Sequence, residues 1–373
     1  MTTHMVEATH TPGKATVEYT NHRVAIIRLG APGESVVTLD RTRIDSLKAI
    51  VEELKTRPPK GVVIIGPNED MFTAGADIRA IKEISDPTVG EKIAREGQHI
   101  FDDIEALPCI TVSAVSGACV GGGCEMALAC DYRIISDSPR SVIGLPETKL
   151  GIVPGFGGSQ RLPRLIGLPA ALDIILSGKT LRPKKALKVG LVDKVVKFEQ
   201  LEQTAREIAS GSLKIKRSRP GFVARLLTNT GFGRTIVKSK TEKVLMKKTK
   251  GFYPAPPAAL EATLYGLERG IKEGLKNEAK ALGRMIVTPE CKALVNLFFL
   301  TEEVKGLGKA ARKEVASTYG LVIGAGTMGA GIAGLLSQNK CNVILKDRTD
   351  ADLEKGVGHI KRDLSKVKHL SEA

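Results

Sequence analysis

Short apolar runs rich in Val and Ile alternate with segments of helical periodicity over the first 200 or so residues. The runs at 24–29, 62–65, 110–115 and 132–135 have strand length, whereas 44–56, 92–107 and the stretch after Gly122 space their apolar residues at helical intervals. This order predicts an α/β fold. From 206 the alternation stops. Leu260, Leu264, Leu267, Ile271, Leu275 and Leu282 recur at helical spacing, with Glu268 and Lys272 four apart on the outer side, which predicts one long amphipathic helix. Thr288-Pro289-Glu290 offers an N-cap, a proline at N1 and an early acid for another. Its Leu294, Val295, Leu297, Phe298, Phe299 and Leu300 are too apolar for a solvent face and should be buried between domains.

A third pattern begins at Thr318. Tyr319-Gly320-Leu321-Val322-Ile323 reads as a strand, Gly324-Ala325-Gly326-Thr327-Met328-Gly329 follows, and a helical run leads to a second strand from Asn342 and then to Asp347. A lone G-x-G-x-x-G is weak, but a preceding strand, a following helix and an acid about 20 residues on make a strong dinucleotide-binding signal. One β-α-β unit and a partial helix fall short of a doubly wound sheet, so this segment is not expected to bury both faces of its strands alone. The chain thus divides into an α/β domain at 1–205, a helical linker region at 206–315 and an incomplete dinucleotide-binding segment at 316–373.

At 373 residues, with 42% hydrophobic and 26% charged residues, the composition is that of a soluble globular protein, and no apolar run approaches the roughly 20 residues of a membrane span. The N-terminus lacks a basic region followed by an apolar one, and no Arg precedes Arg23, which points to the cytoplasm. The six cysteines show no Cys-x-x-Cys and are expected to be reduced and mostly buried; zinc has no support. His4, His10, His22, His99, His359 and His369 all lie outside motif-like segments, so a Ser-His or Cys-His mechanism has little support either. The net charge of +15 is concentrated. From 179 to 250 there are 20 Lys and Arg against 5 Asp and Glu, a surplus equal to the whole net charge. Such a patch suits a polyanion: a nucleotide-bearing cofactor, an anionic lipid surface or a nucleic acid. Phe222, Phe232, Phe252 and Tyr253 are too few and too scattered for an RNA-binding signature, which weakens the last of these.

The candidate chemistry lies earlier. Glu125 ends Gly121-Gly122-Gly123-Cys124-Glu125, and Pro146-Glu147 precedes Gly155-Phe156-Gly157-Gly158-Ser159-Gln160-Arg161. Carboxylates beside clustered glycines suit a site that moves protons next to an oxygen held by main-chain donors. Each has a plainer reading. Glu125 could be a first-turn acid favoured by a helix dipole, and Glu147 could pair with Arg161. Together with Thr73-Ala74-Gly75-Ala76-Asp77-Ile78, Ser116-Gly117-Ala118 and Gly190-Leu191-Val192-Asp193, these stretches resemble the enoyl-CoA hydratase (crotonase) superfamily. With the helical region and the Gly324 loop behind them, the order is similar to that of the α-subunits of multifunctional fatty-acid β-oxidation enzymes, ending early in their 3-hydroxyacyl-CoA dehydrogenase part.

The resemblance implies a crotonase-like spiral of ββα units and syn hydration of trans-2-enoyl-CoA, with 3,2-enoyl-CoA isomerisation as a secondary activity. It implies that Glu125 activates water, that Glu147 exchanges the proton at Cα, and that the N–H groups of Ala76 and Gly122 form an oxyanion hole. Ala74, Asp77, Ile78, Gly121, Pro146 and Gly155 would contact substrate. Hydration needs no cofactor. Gly324, Gly326, Gly329 and Asp347 would hold NAD, but the catalytic residues of the dehydrogenase lie past Ala373, so dehydrogenase activity is not expected of this chain. An acyl-CoA thioester is the implied partner, with self-association or a thiolase β-subunit for assembly. The competing classes are a crotonase-fold binding protein that uses the basic region for RNA or anionic membrane, and another thioester reaction such as hydrolysis or decarboxylation.

Overall fold

The computed structural model describes residues 12–20, 23–217, 220–311 and 319–365. The chain forms two compact units, Met1–Phe299 and Leu300–Ala373. Among the described residues no helix is long and apolar enough to cross a membrane.

The first unit is built on a sheet of six described strands in the order Thr16–Tyr19, Val24–Arg28, Gly61–Ile65, Ile110–Val115, Tyr132–Ser136 and Lys194–Val196; the first pair is antiparallel and the others parallel. The period-2 alternation of side chains divides the central strands between two cores. Ala25, Ile27, Val62 and Ile64 join the large core, while Val24, Ile26, Val63 and Ile65 pack with Leu201, Ala205 and Ile208 of the helix Phe198–Ala209. Coverage on both faces explains why these strands read as continuous apolar runs rather than as alternating ones.

A second, smaller sheet orders Met71–Thr73, Ala118–Val120, Val142–Gly144 and Thr180–Leu181. The chain therefore repeats one unit three times: a strand of the large sheet, a short strand of the small sheet, and a helical turn. After Met71–Thr73 comes the helix Ile78–Glu83, after Ala118–Val120 the helix Gly122–Ala129, and after Val142–Gly144 the 3-10 turn Glu147–Leu150. The first three of these small-sheet strands pair in parallel, so the three exits stand side by side.

The helical region differs from the sequence reading in two respects. The apolar repeat of 260–282 forms two helices, Ala255–Arg269 and Ile271–Ile286, because Gly270 at φ +91 breaks the first and opens the second. Leu spacing continues across the break because both helices pack on the same body. Gly266 and Gly274 permit their close approach: a Cβ on Gly274 would stand 2.6 Å from Gly266 Cα. Glu268 and Lys272 consequently sit on different helices, and Glu268 lies beside Arg269 instead. In Pro289–Ala311, capped by Thr288 Oγ1 accepting from Cys291 N, Cys291 and Val295 are buried but Leu297 is 57% exposed, so the apolar run is not buried throughout.

In the second unit, Tyr319–Ile323 pairs in parallel with Asn342–Lys346, flanked by the helices Thr327–Gln338 and Asp350–Leu364. Val322 is buried, whereas Leu321, Ile323 and Ile344 are exposed. His4, His10, His22 and His369 and the boundary at 315/316 lie outside the described residues, and His99 is exposed.

Candidate active site

Gly121 adopts φ +55 after the short strand Ala118–Val120, a conformation that a Cβ would strain, and turns the chain so that Gly122 opens a helix. As the first helical residue Gly122 presents an N–H with no intrahelical acceptor. At the neighbouring exit, Asp77 Oδ1 accepts from Arg79 N and caps the helix Ile78–Glu83, which places Ala76 just ahead of it. The two loops touch: a Cβ on Gly75 would lie 3.1 Å from Gly122 N. Leu39 N donates to Gly75 O and Ala74 N to Val37 O, both at 2.8 Å, which pins the loop from behind.

These exits surround a cavity of about 600 Å³ whose lining includes Ala74, Ala76, Asp77, Ile78, Gly121, Gly122, Glu125, Pro146, Glu147 and Gly155. All ten residues named from the sequence for the first site therefore meet at one place. Much of the remaining wall is apolar, and the helical region supplies part of it through Leu282, Ile286 and Phe298.

The two glutamates differ in their surroundings. Glu125 is 2% exposed, and its Oε1 accepts from Phe156 N at 2.8 Å and Gly158 N at 2.7 Å. Burial pushes its carboxyl well above the usual range, the nearby carboxyls of Glu147 and Glu278 push the same way, and the two amides pull back. Glu147 is pushed up to about 8, chiefly by burial, and both of its carboxyl oxygens are buried without a protein hydrogen-bond partner. Arg161 does not pair with it; that guanidinium binds Asp102 and Glu105. An unpartnered buried carboxyl facing a cavity is disposed to hold a proton and to pass it to whatever enters.

The sequence reading missed a third buried carboxylate. Glu278, from the helix Ile271–Ile286, is fully buried and accepts from Gly157 N at 2.6 Å and from Ser159 N at 3.0 Å. Its signal was an acid on the apolar face, three residues after Leu275 and four before Leu282. The stretch around Gly190 proves to be architectural. Asp193 forms a buried ion pair with Arg133 at 3.1 Å and also accepts Arg133 N, while Arg133 Nε reaches Leu191 O.

Residues 19–246 match the model of the enoyl-CoA hydratase/isomerase family. The chain belongs to that family. Residues 321–373 match the NAD-binding domain of 3-hydroxyacyl-CoA dehydrogenase. Among curated relatives, this hydratase/isomerase-family chain is 40% identical over 359 residues to the fatty acid oxidation complex subunit alpha of Shewanella amazonensis, covering 94% of this chain and 51% of that protein. It is 42% identical over 332 residues to the same subunit of Aliivibrio fischeri, covering 88% and 48%. The chain thus spans about half the length of the curated relatives it matches. A solved enoyl-CoA hydratase from Bacillus anthracis superposes with a TM-score of 0.50 at 28% identity, over 78% of this chain and 96% of that one. The human mitochondrial delta3-delta2-enoyl-CoA isomerase shares the fold with a TM-score of 0.54 at 24% identity, over 78% and 99%.

In the second unit, Gly324 and Gly326 leave open space at their Cβ positions, and Gly329 packs so closely that a Cβ would stand 1.8 Å from Gly324 O. Helix Thr327–Gln338 begins directly after Gly326. Asp347 follows the second strand, its Oδ2 accepting from Ala325 N at 2.5 Å and its Oδ1 from Arg348 N at 2.6 Å, and these amides hold its carboxyl below the usual range. Open loop, helix N-terminus and acid fit the phosphates and ribose of a dinucleotide.

Proposed function

We propose that the cavity hydrates trans-2-enoyl-CoA thioesters to 3-hydroxyacyl-CoA without a cofactor. The observation that carries this reading is the placement of two buried carboxyl groups of unlike environment, Glu125 and Glu147, around one cavity that Ala76 and Gly122 also line. The pair holds one proton. Burial raises both carboxyls, and the Glu147 charge raises Glu125 further; the reading places the proton on Glu147, to which no other residue donates, because two amides favour charge on Glu125. Glu125 takes a proton from water as its oxygen bonds to Cβ, and Glu147 delivers its own proton to Cα. Negative charge that grows on the thioester oxygen between these events is met by the N–H groups of Ala76 and Gly122, a donor of this kind lowering a barrier by about 3 kcal/mol. The carboxyl pair ends with its proton exchanged, and proton return through solvent resets it.

Moving a double bond from the 3- to the 2-position needs only proton removal and return around the same enolate, so isomerisation by Glu147 is proposed as a secondary activity. Hydrolysis or decarboxylation of a thioester leaves one of the two carboxyls without a task. Incubation with a trans-2-enoyl-CoA and identification of the product tests the reading: 3-hydroxyacyl-CoA supports it, and an unchanged substrate or a free acid overturns it. Gly324, Gly326, Gly329 and Asp347 would hold NAD, which would supply hydride acceptance there. For assembly the proposed partner is a second copy or a thiolase β-subunit, separated by sedimentation with and without a thiolase.

A second observation favours contact with an anionic lipid surface. The helices Phe222–Asn229 and Gly231–Thr249 expose Phe222 and Phe232 at 80% each, with Phe252 at 74% just beyond, among the exposed Lys238, Lys240, Lys243, Lys247 and Lys248. Exposed rings and exposed cations on the same two helices suit a headgroup boundary.

A further inference from the structure

We infer that Glu278 is a positioning residue for the hydration site: its carboxylate holds the backbone at 156–159 so that alternate N–H groups are turned onto Glu125. The inference rests on the proposed role of Glu125 as the group that activates water.

Four consecutive amides are shared between two carboxylates. Phe156 N donates to Glu125, Gly157 N to Glu278, Gly158 N to Glu125 and Ser159 N to Glu278, at 2.8, 2.6, 2.7 and 3.0 Å. Ser159 Oγ adds a 2.5 Å bond to Glu278 Oε2. Gln98 Nε2 ties Glu278 Oε1 at 3.2 Å to Gly155 O at 2.9 Å, the carbonyl just before the shared amides. Gly157 at φ +108 gives the segment the bend that sends successive N–H groups to opposite sides. Neither carboxylate alone can satisfy this stretch. With Glu278 gone, two buried N–H groups lose their acceptor, and the segment must turn to find another, carrying the donors of Glu125 with it.

Packing alone does not explain an acid here. Glu278 sits between Leu275 and Leu282 on a buried helix face, where an apolar residue would fill the space at lower cost. Leu282 of the same helix lines the cavity, so one helix sets both the wall and the aim of Glu125. The charged groups that face Glu278 are the carboxyls of Glu125 and Glu147 and the guanidinium of Arg161. Burial pushes Glu278 up to about 7, and its donors and Arg161 pull it back. Its charge in turn pushes both site glutamates upward.

The test is Glu278→Gln in the full chain, with wild type measured in parallel. Gln keeps one acceptor oxygen but turns an NH2 toward the donors of the other, so either Gly157 N or Ser159 N loses its acceptor. The expected result is a fall in kcat for enoyl-CoA hydration of about 10- to 100-fold with KM held within about threefold. The alkaline limb of the rate should move to lower pH because a negative charge has left the site. Residue-resolved amide exchange should quicken at Phe156 and Gly158, neither of which touches Glu278. Unchanged kcat, limb and exchange at these two amides would overturn the inference. If Gln prevents folding, Glu278→Asp replaces it: an intermediate kcat with the wild-type limb supports positioning, and wild-type kcat overturns it. A wild type without hydratase activity would sink the proposed function instead, while exchange at Phe156 and Gly158 still decides whether Glu278 aims the segment.

Discussion

Gly158 donates its backbone N–H to Glu125 Oε1 at 2.7 Å, and a Cβ on Gly158 would stand 2.8 Å from that same oxygen and 3.0 Å from Glu125 Cγ. The glycine therefore lets the backbone come close enough to hold the carboxylate. Gly158→Ala must push Glu125 aside or lose the bond. We expect kcat for hydration to fall by about 100-fold, since a shift of about 1 Å in a reacting group is worth that much. Steady-state kinetics on the folded variant checks this, and unchanged kcat would separate Glu125's position from its neighbour's shape.

The pH dependence follows from Glu147. In the proposed mechanism its proton goes to Cα, and its carboxyl is pushed up to about 8, so hydration should fall as pH rises through about 8. Stability carries the same sign. Between the unfolded value of 4.5 and about 8 the native chain binds the extra proton, so the contribution of Glu147 is fully present below 4.5 and is lost as pH rises through 8. Rate profiles and denaturant midpoints across this range test both statements. Stability that climbs with pH at this step, in wild type relative to Glu147→Gln, would contradict them.

Asp193 does not line the cavity and is expected to support the fold rather than the chemistry. Its pair with Arg133 is almost wholly buried, the two side chains being 1% and 3% exposed. Asp193→Ala leaves the guanidinium charge unmatched and should cost about 3–5 kcal/mol in a chemical denaturation measurement. Turnover per folded molecule should stay at the wild-type level.

The exposed rings of the basic helices should direct binding to membranes. Phe222→Ser with Phe232→Ser is expected to weaken partition onto vesicles of phosphatidylserine and phosphatidylcholine by about tenfold or more, given about 1.5–3 kcal/mol per buried aromatic side chain. Raising salt should weaken it further, and neutral vesicles should bind little. Equal sedimentation with anionic and neutral vesicles would refute the reading.

The lining of the cavity was legible in the sequence because each of its parts is local. Gly121-Gly122 and Glu125 share one helix start, Ala74 to Ile78 share one loop, and Pro146-Glu147 share one turn, so short motifs carry them. The strands at 24–28 and 61–65 were legible as apolar runs because both faces are covered. What escaped is non-local. Glu278 meets Gly157 across 121 positions of chain, and nothing near it in sequence announces a loop that needs an acceptor. The break at Gly270 escaped because two helices packed on one body keep a common apolar rhythm, and a glycine between them alters direction without altering spacing. Leu297 shows the converse: an apolar run on Pro289–Ala311 does not tell which of its faces is covered.

The measurement that bears most directly on the central claim is the turnover of a short trans-2-enoyl-CoA by wild type, Glu125→Gln and Glu147→Gln, each verified to be folded. Loss of a general base or acid costs about 10²- to 10⁴-fold, so wild type should form 3-hydroxyacyl-CoA and both variants should fall by at least the lower figure. Near-normal turnover by either variant would contradict the account.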